Sequence, residues 1–278
     1  MARLKKQHGF TAVDEQPDPA AWVACLDKIQ REPFYAAYKK RVAKLLEPQA
    51  GRRYLDVGGG TGDDARVLAA ACERTTVSID RSLTMASTAM ARGGVLALVG
   101  DGASLPFHDE VFDGCRADRV FQHLAEPQQT LDEMIRVLKP GGRLVAVDPD
   151  YDTQVMEFPD QQLARKVLRF RAEAGLRNGA IAHRMPAMAR QAGLEGVEIE
   201  MMTLVVRDPA AVDNVMGLHT WAGTANEEGF LDRSEVTRWQ QLYDEMVRTG
   251  NFLYAVTFCI TSGTKPSTAS PPGVVPAT

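Results

Sequence analysis

A glycine-rich stretch at residues 54–64, Y-L-D-V-G-G-G-T-G-D-D, is the strongest local signal for chemistry in this sequence. The apolar residues at its start predict a buried strand and a helix follows, so Gly58, Gly60 and Gly62 fall on the connecting turn. Glycine lets the backbone take positive φ and lets a ligand lie against the main chain. In an open parallel sheet, ligands bind beyond the carboxyl ends of the strands, where this turn is expected to lie. A purely structural turn also needs glycine, so the neighbouring side chains must decide between the two interpretations.

Acidic residues surround this turn. Asp56 precedes the glycines, Asp63 and Asp64 follow them, and Asp80 closes the next predicted strand, where a carboxylate can accept both ribose hydroxyls. A dinucleotide fingerprint would have its third glycine at position 63, and two carboxylates at a helix N-terminus would repel a diphosphate. The same carboxylates would attract a cation, which favours a ribose-bearing ligand with a positive centre and no phosphate. S-adenosylmethionine has a ribose, an ammonium and a sulfonium, whereas a nicotinamide cofactor is the alternative.

Six motifs in order make the sequence resemble the class I S-adenosylmethionine-dependent methyltransferases over residues 34–266. They are D-V-G-G-G-T-G at 56–62, V-S-I-D at 77–80, G-D-G-A at 100–103, L-P-F-H-D-E-V-F-D at 105–113, D-R-V-F-Q-H-L at 118–124 and R-V-L-K-P-G-G-R-L at 136–144. The resemblance implies an α/β fold with a doubly wound, Rossmann-like sheet of seven strands, mostly parallel, whose last strand is antiparallel. It also implies S-adenosyl-L-methionine as cofactor and S-adenosyl-L-homocysteine as product.

The resemblance assigns cofactor-binding roles to the matching residues. The glycines of the turn approach the methionine part, and Asp80 holds the ribose. Met85 packs on the adenine, the Asp101 carboxylate accepts from its amino group, and the Arg116 backbone carbonyl accepts from the ammonium. Ordinary helix packing is the alternative for Met85, and turn capping is the alternative for Asp101. The full set expected around the cofactor is Asp56, Gly58, Gly60, Gly62, Asp80, Arg81, Met85, Asp101, Gly102, Ala103 and Arg116.

Methyl transfer from a sulfonium is an in-line displacement in which the protein mainly aligns the reactants, so a general base is needed only if a proton must leave. Side chains beyond the predicted fourth and fifth strands are the catalytic candidates: His123, Asp148 and Tyr151. His123 titrates in a range that suits a base, although it can also pack structurally. Asp148 can orient a substrate or cap a helix. Predicted substrate contacts are Tyr35, Tyr38, His183, His219 and Trp221, with core packing as the alternative for the aromatic residues, and no metal site is expected.

The elements that position these residues alternate between strand and helix. Strands are predicted at 53–57, 75–79, 96–99, 112–117 and 144–147, and helices at 63–72, 82–91 and 131–138, which is typical of a parallel sheet covered on both faces. K-P-G-G at 139–142 is predicted to be a turn before the fifth strand. Proline at 33 is expected to split a helical pattern at 19–46. Further helices at 161–173 and 185–192 and strands at 197–207 and 255–262 complete the sheet.

Length and composition set the remaining limits. The 278 residues divide into an N-terminal helical lid (1–50), a methyltransferase domain (51–265) with cap insertions at about 149–185 and 209–250, and a disordered tail (266–278). The net charge of -4 argues against a nucleic-acid partner, and no apolar run is long enough for a membrane span. Four scattered cysteines and no apolar leader predict a cytoplasmic protein.

Function is therefore expected to be methyl transfer to an O, N or C atom of a small, aromatic or indole-like natural product, by analogy of fold. A nicotinamide-dependent oxidoreductase and a non-catalytic cofactor-binding protein are the alternatives. Monomer and homodimer both stay open.

Overall fold

The computed structural model describes residues 9–209 and 217–267. In these ranges seven strands form one sheet: β1 Tyr54–Val57, β2 Thr76–Asp80, β3 Val95–Val99, β4 Phe112–Asp118, β5 Leu138–Glu157, β6 Glu195–Val206 and β7 Leu253–Thr264. Their spatial order is β3-β2-β1-β4-β5-β7-β6, and β7 runs antiparallel to both its neighbours. The predicted fold class is confirmed.

Nine helices accompany the sheet in the described ranges: α1 Pro19–Arg31, α2 Pro33–Leu45, α3 Asp63–Cys72, α4 Leu83–Arg92, α5 Pro127–Val137, α6 Gln161–Phe170, α7 Met185–Gln191, α8 Trp221–Glu227 and α9 Arg233–Thr249. The Asp18 carboxylate caps α1 by accepting from the backbone N–H groups of Ala20 and Ala21. Pro33 begins α2 just beyond the end of α1, so the predicted split of this region is confirmed.

β5 differs most from its prediction, because it is a continuous strand of 20 residues rather than four. The predicted turn at K-P-G-G is wrong: Gly141 takes φ +77° yet donates its N–H to the Lys265 carbonyl, which keeps this segment paired. The register to β7 then shifts between Asp150 and Val155. Asp148 and Tyr151 therefore lie within β5 and not after its end, and the irregularity begins beside Tyr151.

Two apolar clusters cover the two faces of the sheet. On one face α2 and the helices α6, α8 and α9 pack together, and Trp239 stacks on Phe158 with their ring centroids 4.4 Å apart. On the other face, residues of α5 and α7 form one apolar cluster with residues of β1, β4 and β5, and α7 itself contacts β6 and β7. This burial holds the carboxyl ends of β1, β2 and β4 rigidly at one edge, where the site lies.

The division into lid, domain and insertions stays a prediction. Residues 149–157 belong to β5, and from residue 268 onward the predicted tail lies outside the described residues, as do 1–8 and 210–216. No helix in the described part of the chain has the length and apolar character that crossing a membrane requires.

Candidate active site

A cavity of about 220 Å³ opens at the carboxyl ends of β1, β2 and β4. One end reaches Asp80 and Met85 beside the glycine turn, and the other reaches Tyr151 and Phe258. We call these the cofactor end and the acceptor end. Since one cavity joins them, two ligands bound there can touch.

The glycine turn forms the floor of the cofactor end. Gly58 takes φ +66°, and a Cβ there would lie 2.4 Å from the Val120 side chain. Gly60 takes φ +53°, with a Cβ position only 2.9 Å from Leu26 of α1, and Gly62 at φ +75° is the N-cap residue of α3. Side chains are therefore excluded from the turn, which leaves its main chain open to a ligand.

Asp80 ends β2 with its carboxylate held at the turn. One oxygen accepts the Gly60 N–H and the other accepts the Ser82 N–H, both at 2.9 Å. Burial raises the pKa of this carboxyl, while the two backbone donors oppose the rise. Each oxygen still has acceptor capacity for a ribose hydroxyl. Ile79 and Met85 add apolar surface beside it, as adenine packing requires.

A buried ionic network lies beneath the turn. Arg116 contacts Asp64 at 2.9 Å and Asp118 at 3.0 Å, and Lys39 contacts Asp118 at 2.8 Å. The three carboxylates of this network are matched by three cations: Asp56, Asp64 and Asp118 with Lys39, Arg116 and Arg119.

This pairing corrects the expectation that acids here create a strongly negative surface. Asp63 is paired as well, with Arg66 and Arg92. The carboxylates still lie where a diphosphate would need donors, so they still disfavour a dinucleotide. They do not attract a cation through surplus negative charge, because each of these carboxylates has a cation as partner.

Asp56 is the carboxyl of the network that most favours an added cation. Complete burial raises its pKa to about 7, even though the Arg116 guanidinium, 3.7 Å away, opposes that rise. At Asp118, burial also acts to raise the pKa, but the charges of Lys39, Arg119 and Arg116 outweigh it and lower the pKa. An ammonium bound near Asp56 would supply the charge it lacks.

The remaining predicted cofactor residues fall into two groups. Gly102 and Arg81 line the cavity. The Arg116 side chain lies in the network below, and the proposed contact of its carbonyl stays a prediction. Asp101 is about half exposed, accepts the Ala103 N–H at 2.9 Å and lies 3.8 Å from Arg81. The side chain of Asp101 therefore caps a turn at the cavity rim, and its contact with adenine stays a prediction too.

An N-terminal strap, residues 9–16, closes over the cofactor end. The Asp14 carboxylate accepts from the Ser82 hydroxyl and from the backbone N–H groups of Leu83 and Thr84 at 2.8–3.0 Å. These bonds outweigh the effect of burial and lower the pKa of Asp14. Asp14 thus caps α4 from outside the helix and holds Val13 against the cavity.

His123 lines the acceptor end, where its surroundings keep it neutral. Burial, followed by the positive charges of Arg171, Arg119 and Arg177, lowers its pKa to about 3. A neutral imidazole can accept a hydrogen bond, but a conjugate acid this strong is a poor store for a proton. The expected titration of His123 near neutral pH is therefore not what the structure shows.

Of the other two catalytic candidates, one lines the cavity. The Tyr151 side chain faces the acceptor end, and no hydrogen bond of its hydroxyl is found among the described residues. Asp148 is buried behind the wall, where it accepts the Gln122 N–H at 3.2 Å. Its pKa is raised well above the usual range by burial, so Asp148 supports the loop after β4.

The predicted substrate residues also divide into those that line the cavity and those that do not. Tyr35 lines the acceptor end, whereas Tyr38 is fully buried with its hydroxyl on Asp118. His183 lies outside the cavity, where its Nδ1 is 2.6 Å from the Asp150 carboxylate. His219 and Trp221 do not line the cavity either. Asp150, Asp152 and His183 bring ligand atoms within 4.8 Å of one another, and a metal-free protein stays a prediction.

Several cavity residues were not among the predicted sites. Gln122 is buried and its Oε1 has no hydrogen-bond partner among the described residues. The Arg119 guanidinium lies 5.3 Å from the Tyr35 ring centroid. Both belong to the D-R-V-F-Q-H-L motif, which could have pointed to them. Phe10, Arg171 and Phe258 carry no such local signal.

The sheet order and a buried carboxylate at the end of β2, beside a glycine turn, are typical of the doubly wound α/β proteins that bind nucleoside-containing cofactors. A family described as "methyltransferase domain" matches residues 55–146. The 37.1 kDa protein in transposon TN4556 of Streptomyces fradiae is 34% identical over 266 residues, which is 94% of this chain and 74% of that protein.

Curated relatives include the ubiquinone/menaquinone biosynthesis C-methyltransferase UbiE of Rubrivivax gelatinosus, 31% identical over 52% of this chain. The chain spans 62% of that relative and 49% of its counterpart from Roseobacter denitrificans. Phosphoethanolamine N-methyltransferase 2 of Haemonchus contortus shares the fold with a TM-score of 0.60 and 16% identity, over 93% of this chain and 60% of that chain. The [4+2]-cyclase SpnF shares the fold with a TM-score of 0.53 and 25% identity, over 84% of this chain and 82% of that chain.

The chain belongs to the class I S-adenosylmethionine-dependent methyltransferases. The expected family, enzyme class and cofactor are confirmed.

Proposed function

We propose that the enzyme transfers the methyl group of S-adenosylmethionine to a small acceptor that contains an aromatic or similarly planar ring. The observation that carries this proposal is the lining of the acceptor end, where the side chains of Tyr35, Tyr151 and Phe258 face one cavity. Aromatic walls favour a flat ring that can pack against them, and the polar side chains between them can fix its orientation.

The relatives support a ring carbon as the acceptor atom. Those named UbiE are C-methyltransferases of quinone biosynthesis. The family match ends at residue 146, before Tyr151, Arg171 and Phe258. The acceptor end thus lies largely outside the matched region, so its own side chains must specify the substrate.

Bound S-adenosylmethionine supplies an electrophilic methyl group on a positively charged sulfur, and S-adenosylhomocysteine leaves as product. Asp80 holds the ribose and Asp56 balances the ammonium, which together fix the cofactor end. Gln122 Oε1 can accept an N–H or O–H of the acceptor and orient its ring. His123 excludes water from the cavity and can accept a hydrogen bond without itself becoming charged.

A transfer assay with methyl-labelled S-adenosylmethionine tests this function. The acceptor panel contains a hydroquinone, a hydroxybenzoate, an indole and an alkyl amine. Label should appear on ring-bearing acceptors, and Tyr151→Leu should lower kcat/KM while the affinity for S-adenosylhomocysteine stays unchanged. Transfer confined to the alkyl amine would refute the aromatic acceptor. Cofactor binding without any transfer would favour the non-catalytic alternative.

A further inference from the structure

Arg171 occupies an unusual position at the acceptor end. It begins a π-helical turn, Arg171–Gly175, directly after α6, and it lines the cavity. Its guanidinium carbon lies 5.2 Å from the Tyr151 ring centroid and 5.1 Å from that of Trp221. The two rings hold the cation in place through cation–π contacts, but they do not neutralise it.

Among the described residues, no carboxylate balances the charge of Arg171. Within residues 9–209 and 217–267 no carboxylate lies within 4.0 Å of its guanidinium, and its buried Nε has no hydrogen-bond partner. The other cations of the cavity differ, because Lys39 and Arg119 both contact Asp118. A buried donor without an acceptor is costly, so the position calls for a ligand oxygen.

The described cavity wall around Arg171 offers no substitute anion. His123, which lines the same cavity, is neutral. Asp118 already accepts from Tyr38 and contacts Lys39, Arg116 and Arg119. In the part of the chain that the structure describes, the acceptor end therefore presents the positive charge of Arg171 among aromatic side chains without a paired carboxylate.

We propose that Arg171 binds an anionic oxygen group of the methyl acceptor, so that the substrates of this enzyme are small ring compounds bearing a carboxylate or a phosphate. This inference rests on the proposed function. A guanidinium presents several N–H donors in a planar fork that matches the oxygens of such groups. Arg171 thereby acts as a specificity-determining residue, and cationic amines are repelled from the acceptor end.

Binding of simple probes to the complex with S-adenosylhomocysteine tests this assignment without turnover. The probes are benzoate, phenyl phosphate, their neutral analogue benzamide and the cation benzylamine, measured by ligand-observed NMR titration. At least one of the two anions should bind roughly tenfold more tightly than benzamide, because a charge-assisted bond is lost in the neutral analogue. Which anion binds more tightly identifies the group as carboxylate or phosphate.

Substitutions test whether Arg171 causes the preference for anions over benzamide. Arg171→Met should bring anions and benzamide to equal affinity, and Arg171→Lys should keep part of the preference. Arg169→Met is the matched control, since Arg169 lies on the surface in a pair with Glu173, and it should change nothing.

Two results would overturn the assignment: benzamide binding the wild type as tightly as both anions, and an anion preference that survives in Arg171→Met. Titration with S-adenosylhomocysteine separates this failure from that of the proposed function. Normal cofactor binding without anion preference refutes only the role of Arg171, whereas a wild-type protein that does not bind S-adenosylhomocysteine refutes the function itself.

Discussion

The cofactor end and the acceptor end of the cavity are built in different ways. The cofactor end comes from consecutive strand–turn–helix units, and its ionic groups are paired, as the contacts of Lys39 and Arg116 show. The acceptor end is assembled from distant parts of the chain, and Arg171 there is left without a carboxylate among the described residues. The first arrangement suits one fixed cofactor, and the second leaves an opening for a ligand with its own charge.

This contrast predicts that substitutions at one end leave binding at the other end unchanged. The largest effect is expected for Asp80→Ala, which removes the carboxylate proposed to accept both ribose hydroxyls. Affinity for S-adenosylhomocysteine, measured by calorimetry, should fall roughly 100-fold. Asp132→Ala, which changes an exposed carboxylate that contacts Gln128, serves as the control. Unchanged affinity in Asp80→Ala would remove this residue from the site.

Gly58→Ala should have the next largest effect. The added Cβ would meet the Val120 side chain at 2.4 Å and would occupy an unfavourable positive φ, at a cost of about 1–3 kcal/mol for the conformation alone. Gly93→Ala imposes the same kind of φ strain, at +74°, with no atom within 4 Å of the new Cβ. The free energy of unfolding should fall in both variants, whereas cofactor affinity should fall only in Gly58→Ala. Equal cofactor affinities in the two variants would count against a tightly packed turn.

Cofactor affinity should depend on pH through Asp56, whose pKa is raised to about 7. Below that pH the carboxyl is protonated, and above it the ionised form would attract the ammonium that we propose to bind beside it. Affinity for S-adenosylhomocysteine should therefore rise up to about tenfold between about pH 6 and about pH 8. In Asp56→Asn the profile should be flat over this range. A profile that stays the same in both proteins would assign the titration to another group.

At the acceptor end, Tyr151→Leu removes one of the two rings that hold Arg171. Benzoate affinity in the complex with S-adenosylhomocysteine should fall roughly fivefold, because the guanidinium loses its orientation. Tyr151→Phe keeps the ring and should retain most of the affinity. If Tyr151→Phe lost as much benzoate affinity as Tyr151→Leu, the hydroxyl of Tyr151 rather than its ring would be responsible.

The smallest effect is expected at the strap. Asp14→Ala removes the bonds to Ser82, Leu83 and Thr84, so the strap should close less often over the cofactor. Affinity for S-adenosylhomocysteine should fall roughly threefold. Glu15→Ala changes the neighbouring exposed carboxylate and should have no effect. Equal affinities in both variants would show that the strap does not act on the cofactor.

Local sequence patterns predict the cofactor end well because each part depends on neighbours in the chain. The helix predicted at 63–72 has those bounds in the structure, since the glycines end the turn and Asp63 begins α3. Asp80 ends β2 as the V-S-I-D motif indicates. Pairing between distant charges carries no such signal, so the neutralisation of Asp64 by Lys39 and Arg116 was not predictable.

The acceptor end could not be predicted from local sequence patterns, because its residues come from distant parts of the chain. Tyr35, Arg171 and Phe258 meet only through the tertiary fold, and the irregularity in β5 that begins beside Tyr151 follows from its register with β7. The same tertiary packing places Trp221 against Arg171 and outside the lining of the cavity. The aromatic character of this end was expected, but its unpaired cation was not.

Calorimetric titration of the wild-type protein with S-adenosylhomocysteine and, separately, with NAD tests the central claim most directly. We expect S-adenosylhomocysteine to bind at one site and NAD not to bind, because carboxylates occupy the place where a diphosphate needs donors. Binding of NAD without binding of S-adenosylhomocysteine would contradict it.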